Sequence, residues 1–311
     1  MLKKIKNFFA EMIYESSGTA LVVLLTMILL SVFNFVNSAL LFSNNWFMIP
    51  MIALAFVLPF LLFRATRGGK KYLPTIHLEL PKKHHIQTIL LSFLLLILGG
   101  TFLKLIFINE RYLEFPLYNA FFAHRNGNLF NDLYLVLGFC IIPSVFEGLV
   151  FRGVIVREHD KRGRMAVVLF SSLLFALLGF NFELFLPRLF IGIVLCIVLY
   201  ATDSIATSIA IHIAYNFFAV FVEPTLVSIK NVSVNYELFG FIVLILALLV
   251  AILLFKHLEK LYRKYSHDRF GESFVKSIPR ERTFWHLVEL LTSIPAFACY
   301  VLFVFVSLIT K

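Results

Sequence analysis

The sequence predicts an all-α fold: a polytopic transmembrane helix bundle of about eight to nine spans. Three observations predict it. The 311 residues are 60% hydrophobic and 15% charged, with a mean hydropathy of +0.90, whereas a soluble domain is about half apolar and a quarter charged. The apolar residues fall into runs near the ~20 needed to cross the hydrocarbon. The basic residues gather in alternate connections between those runs, as cytoplasmic loops do.

In chain order the expected spans cover 18–42, 46–63, 87–108, 132–156, 165–187, 188–202, 204–222, 237–255 and 284–309. The first follows Lys3, Lys4 and Lys6 and has no small-residue cleavage site, so it is expected to stay as an anchor. The fifth and sixth are short, meet around Asn181, Phe182 and Glu183, and suit a tilted or partly re-entrant path. No internal repeat stands out, and one bundle with an appended C-terminal helix is expected.

Lys and Arg number 3 at the N-terminus, 6 over 64–83, 4 over 157–164 and 8 over 256–282. The opposite side holds Arg111, Arg125, Arg188, Lys230 and Lys311. This asymmetry places the N-terminus in the cytoplasm, and nine spans place the C-terminus outside. The net charge of +10 is then explained by loops resting on anionic lipid headgroups. No nucleic-acid partner is expected.

The segment 64–85, broken by Pro74 and Pro81, is expected to be a cytoplasmic loop. His84 and His85, beside Lys82 and Lys83, read as a solvated or lipid-facing basic patch without an acidic or thiol partner for a metal. The external loop 109–131 is expected to pack as a lid over the outer face. Lys104 is expected to snorkel to the interface, Asp203 or Ser204 to cap the following helix, and Gly99-Gly100 to serve close helix packing. Cys140, Cys196 and Cys299 are too far apart in sequence to suggest a disulfide framework or a zinc cluster.

Ionisable residues inside a membrane are costly and mark a partner or a cavity. Glu147 lies roughly 15 Å of helical rise from Arg157, and His212 roughly 12 Å from Ser204, so the two share a depth. His212 and Asn216 are four apart and point from one helix face. On an ideal α-helix Glu147 and Arg152 stand roughly 140° apart and need not pair. Arg152 is left to reach carbonyls or the interface, and Glu147 to bond His212 with Asn216 completing a buried network.

Three short stretches carry a resemblance. EGLVFRG (Glu147–Gly153), FALLG (Phe175–Gly179) and HIAYN (His212–Asn216) follow one another in that order. The chain resembles, over about 130–222, the CAAX-protease and bacteriocin-processing family of intramembrane proteases, whose motifs read EExxxR, FxxxH and HxxxN. It is similar to the family's degenerate members, those like lysostaphin-resistance protein A. Where the family has a second glutamate this chain has Gly148, and where it has the motif-two histidine it has Gly179. The resemblance implies a bacterial plasma-membrane protein and three segments: N-terminal helices with a cytoplasmic loop (1–130), a CAAX-protease-like core (131–222), and C-terminal helices with a basic segment (223–311).

In the family the first glutamate and the motif-two histidine activate water, directly or through a metal, and the motif-three histidine and asparagine stabilise the oxyanion. Carried over, the remnant catalytic set is Glu147, Arg152, His212 and Asn216. Any zinc would fall to Glu147 and His212, a poor set beside the three or more ligands zinc takes, so no cofactor is expected. Asn181 and Glu183 are the next polar residues after Gly179, but they sit at the expected membrane edge. The sequence therefore favours a non-catalytic scaffold or regulator that binds another membrane or cell-envelope protein. The competing reading is an intramembrane endopeptidase. A transporter is a third, disfavoured by the absence of evident inverted repeats.

Overall fold

The computed structural model describes residues 17–40, 48–66, 85–107, 127–159, 163–223, 236–270 and 280–309. Every regular element among the described residues is helical. In order they are α1 (Ser17–Leu40), α2 (Met48–Thr66), α3 (His85–Phe107), α4 (Leu129–His159) and α5 (Arg164–Leu177). They continue with α6 (Phe182–Thr202), α7 (Ile205–Phe221), α8 (Tyr236–Phe270), α9 (Arg280–Leu291) and α10 (Ile294–Ile309).

Among the described residues, four helices are long and apolar enough to cross a membrane: His85–Ile106, Leu129–His159, Phe182–Thr202 and Glu237–Lys260. The pair Phe284–Leu291 and Ile294–Ile309, bent by 63°, makes a fifth if it is one span. Gly18–Phe33, Ile49–Phe63, Arg164–Leu177 and Ile205–Phe221 are shorter apolar helices. The chain is an integral membrane protein.

Two span boundaries move. The fifth and sixth spans, written as 165–187 and 188–202, divide at 178–181, beside the join expected around Asn181, Phe182 and Glu183. There Leu178 and Gly179 turn, Phe180 takes a φ of 48°, and Asn181 accepts from the backbone N–H of Glu183 (2.8 Å) and Leu184 (3.2 Å). An asparagine N-cap is a stronger start signal than Pro187, which the second turn of α6 absorbs. The last expected span breaks at Thr292-Ser293, whose hydroxyls turn back onto the carbonyls of Val288 and Leu290, just ahead of Pro295. α8, by contrast, runs on past 255 to Phe270. The expected lid 109–131 lies mostly outside the described residues, as does His84; within it Asn128 caps α4 by accepting from the Phe130 N–H at 3.0 Å.

The chain divides into two compact units. The first takes its described residues from 1–76, 149–185 and 277–311. In it α1 packs on α2 and α10, and α5 on α9 and α10. Polar pairs tie α1 and α5 to the C-terminal part of α4, where bare apolar contact gives no preference over lipid. Thr19 bonds the buried His159 at 2.7 Å, and Ser171 donates to the Phe151 carbonyl at 2.9 Å.

The second unit takes its described residues from 77–148 and 186–276. α3 is its centre and packs on both α8 and α7. α8 turns Val243, Ala247, Val250, Leu254 and Leu258 inward at a three-and-four spacing, and leaves Phe241, Ile245, Ile252 and Phe255 exposed. Gly99 makes room for the Phe190 ring of α6, which would lie 2.6 Å from a Cβ there, and Gly100 for the Tyr215 hydroxyl of α7 at 3.0 Å. The two glycines thus serve helix packing. His85 is not solvated: it is buried, and its Nδ1 lies 3.3 Å from the Thr207 hydroxyl, because α3 starts at this residue and lays it against α7. Lys104 does not snorkel either. Its ammonium is held by both oxygens of Glu223 at 2.6 Å.

Candidate functional site

α4 carries the first motif and is not a uniform α-helix. A π-helical turn covers Leu137–Ile141, with the Ile142 N–H reaching back five residues to the Leu137 carbonyl. Pro143 follows, and with no N–H to give, it favours such a re-phasing of the ladder. A second π-helical stretch covers Gly148–Ile155, the motif itself. The 140° separation expected of Glu147 and Arg152 assumed ideal α-helical phase; i→i+5 bonding through these residues replaces it.

In the second unit α4 and α7 bring three of the expected residues together. Glu147 and His212 are both buried, with Glu147 Oε2 3.6 Å from His212 Nε2. That is an ion-pair distance, slightly long for a direct hydrogen bond. One turn away Asn216 donates its amide N–H to the Ser144 hydroxyl at 2.9 Å, and Ser144 in turn donates to the Cys140 carbonyl at 2.7 Å. Ser204 opens α7 as expected, its side chain accepting from the Thr207 N–H at 3.1 Å. α4 and α7 therefore meet through two polar rungs, Glu147–His212 and Ser144–Asn216. The sequence reasoning missed Ser144. Its one signal was a hydroxyl three residues before Glu147 in an apolar run.

Between the rungs and the start of α7 lies a steric contact. A Cβ built on Gly148 would stand 2.5 Å from Ile209 Cγ1 and 3.1 Å from Cδ1. The position where the resemblance expects a second glutamate is therefore filled by a neighbour's side chain. A carboxylate there would require Ile209, stiff at χ1, to leave.

Arg152 lies in the first unit and is 1% exposed. Its guanidinium carbon stands 4.6 Å from the centroid of the Phe175 ring and 6.0 Å from that of Phe151. The two rings meet edge to face at 5.5 Å. Such stacking suits a guanidinium, which is planar and weakly hydrated. Phe175, the first residue of the second motif, thus has a partner in the arginine of the first. Gly179 lies in the turn after α5, and Asn181 is committed to capping α6.

Zinc chemistry finds a poor fit. Glu147 and His212 supply two ligands, and among the described residues no group of three His, Cys, Asp or Glu side chains is placed to hold a metal ion. The three cysteines are buried and free. The cluster offers one carboxylate, one imidazole and one amide in a buried setting, a set that suits hydrogen bonding and proton exchange.

Residues 129–218 match the family model described as type II CAAX prenyl endopeptidase Rce1-like. The chain carries an Rce1-like domain. It covers α4, α5, α6 and α7 as far as Phe218, close to the 130–222 that the three motifs suggested. Glu147, Arg152, His212 and Asn216 all fall within the Rce1-like domain. Searches of curated proteins and of solved structures give no match.

Proposed function

We propose that this protein is a non-catalytic member of the CAAX-protease-like family, a scaffold or regulator that binds another membrane or cell-envelope protein. The observation that carries this reading is the Gly148–Ile209 contact, since the seat of a second glutamate is occupied by Ile209. Gly179 in place of the motif-two histidine removes the other group that would hold an attacking water. What remains, Glu147 with His212 and Asn216 with Ser144, fixes how α4 and α7 meet. In this reading nine spans cross a bacterial plasma membrane with the N-terminus in the cytoplasm, and the basic loops rest on anionic headgroups.

The test is affinity purification from native membranes, with the Glu147→Ala and Glu147→Gln proteins in parallel. A partner recovered in stoichiometric amount, uncleaved, and retained by Glu147→Gln supports the scaffold. Cleavage of a co-expressed membrane protein that disappears in Glu147→Gln overturns it. One observation favours that second reading, an intramembrane endopeptidase: a buried carboxylate and imidazole lie 3.6 Å apart, so that a small side-chain adjustment brings them within direct proton-sharing distance.

A further inference from the structure

Apart from the Glu147 cluster, a buried ion pair stands out among the described residues of the second unit. Lys104 lies in the last turn of α3, and its ammonium touches both carboxylate oxygens of Glu223 at 2.6 Å. The Glu223 side chain is 2% exposed and the Lys104 side chain 14%. The same ammonium stands 5.9 Å from the centroid of the Tyr215 ring, whose hydroxyl rests over Gly100, one turn before Lys104.

The placement of Glu223 is telling. It follows immediately on the C-terminal end of α7, where Val222 closes the helix. Helix C-termini carry partial negative charge and disfavour a carboxylate. Burial disfavours it further. The lysine offsets both, so the end of α7 is tied to the one position of α3 that presents an ammonium. At the other end of the two helices His85 meets Thr207. Between these ends Phe93 packs edge to face on Phe218 at 6.4 Å. α3 thus contacts one side of α7 through Thr207, Tyr215, Phe218 and Glu223. The other side turns Ile209, His212 and Asn216 to α4.

We infer that Lys104 and Glu223 are positioning residues: their ion pair sets the height and rotation of α7, and so holds His212 and Asn216 in register with Glu147 and Ser144. Buried ion pairs are weak stabilisers, and fixing register is their best-attested use. An apolar pair of similar volume would hold the helices together but would let α7 slide along α3. The inference depends on the cluster acting as a unit, and not on whether that unit binds or cleaves.

The structure supplies a reporter that leaves every polar member of the cluster in place. The Cβ position of Gly148 is 3.8 Å from the Cβ of Ile209, the mean separation across a disulfide. Gly148→Cys with Ile209→Cys, in a chain with Cys140, Cys196 and Cys299 replaced by alanine, should therefore oxidise readily in native membranes. Into this background go Lys104→Gln with Glu223→Gln, which removes both charges and strands neither, and the exchange Lys104→Glu with Glu223→Lys. Disulfide yield is read on the folded fraction that elutes as a single species. The neutral pair is expected to lower the yield several-fold, and the exchange to restore most of it. A neutral pair that cross-links like its parent overturns the inference, and so does a loss that the exchange leaves unrepaired. Partner recovery is scored separately, so a protein that cross-links normally but binds nothing counts against the proposed function alone.

Discussion

Ile209 stands where a side chain on residue 148 would have to go: the Cβ position of Gly148 is 2.5 Å from Ile209 Cγ1. Gly148→Ala is therefore expected to lower stability by the ~1–3 kcal/mol typical of overpacking. Combined with Ile209→Ala, the same change should cost less than the sum of the two single losses, by roughly 1 kcal/mol. Melting in detergent of the parent, both single variants and the double variant measures it. Additive losses would mean that the two residues do not meet. The contact also bears on restoring the motif, since Gly148→Glu paired with Gly179→His leaves Ile209 in the way.

That contact explains why part of the site was legible in sequence and part was not. Glu147 and His212 were placed together by depth alone, because helical rise in a membrane is a ruler and a charge there calls for a partner. Ser204 was legible for a similar reason, as a cap is a local chemical event. Ile209 was invisible: it is one isoleucine among many, and only the crossing of α4 and α7 gives it a role. Lys104 misled for the opposite reason. A lysine near a span end normally snorkels, and its true partner, Glu223, is 119 residues away in the chain. Phase was also lost in α4, since the bonding that makes 148–155 π-helical is invisible to any count at 3.6 residues per turn.

The second rung has its own cost. Ser144→Ala leaves the Asn216 amide without the acceptor it has at 2.9 Å, and a stranded neutral group costs about 1–3 kcal/mol. Ser144→Ala and Asn216→Ala are expected to be strongly non-additive in a double-mutant cycle on melting temperature. Ser144→Thr, which keeps the hydroxyl, should recover more stability than Ser144→Val, which keeps the shape. Equal behaviour of Thr and Val would remove the hydrogen bond from the account.

In the first unit, Phe175→Leu keeps an apolar side chain but removes the ring face 4.6 Å from Arg152. The expected loss beyond ordinary packing is about 2 kcal/mol, the range of a desolvated cation–π contact. Arg152→Met should make the Phe175→Leu change cheaper, because no guanidinium then needs the ring. Thermal melts of the four proteins decide it: if Phe175→Leu costs the same with and without Arg152, the stacking contributes nothing.

Loop charge alone predicts the orientation. Single cysteines replacing Lys71, Lys161 and Arg269 should be shielded from an impermeant thiol reagent in intact cells, while Asn126 and Asn235 replacements label. Labelling at 161 from outside would invert the topology.

The contact between the first and third motifs, Glu147 with His212 at 3.6 Å, separates chemistry from architecture. Glu147→Gln keeps the shape and most of the hydrogen-bonding capacity while removing the charge. As architecture the residue tolerates this, so folding and partner binding should persist; as a general base it does not, since an amide cannot take a proton at neutral pH. Glu147→Leu removes the bonding capacity as well and leaves His212 facing a hydrocarbon side chain. It should cost about 1–3 kcal/mol, the price of an unsatisfied buried neutral group. Adding His212→Ala to Glu147→Leu should then cost less than it does alone, because the contact with Glu147 is already gone, and such non-additivity marks a shared contact. The measurement is a double-mutant cycle on melting temperature in detergent, read beside partner recovery from native membranes. Two fully additive losses would dissolve the pair. A Glu147→Gln protein that melts like its parent yet loses cleavage of a co-expressed membrane protein that the parent cuts would return the glutamate to catalysis.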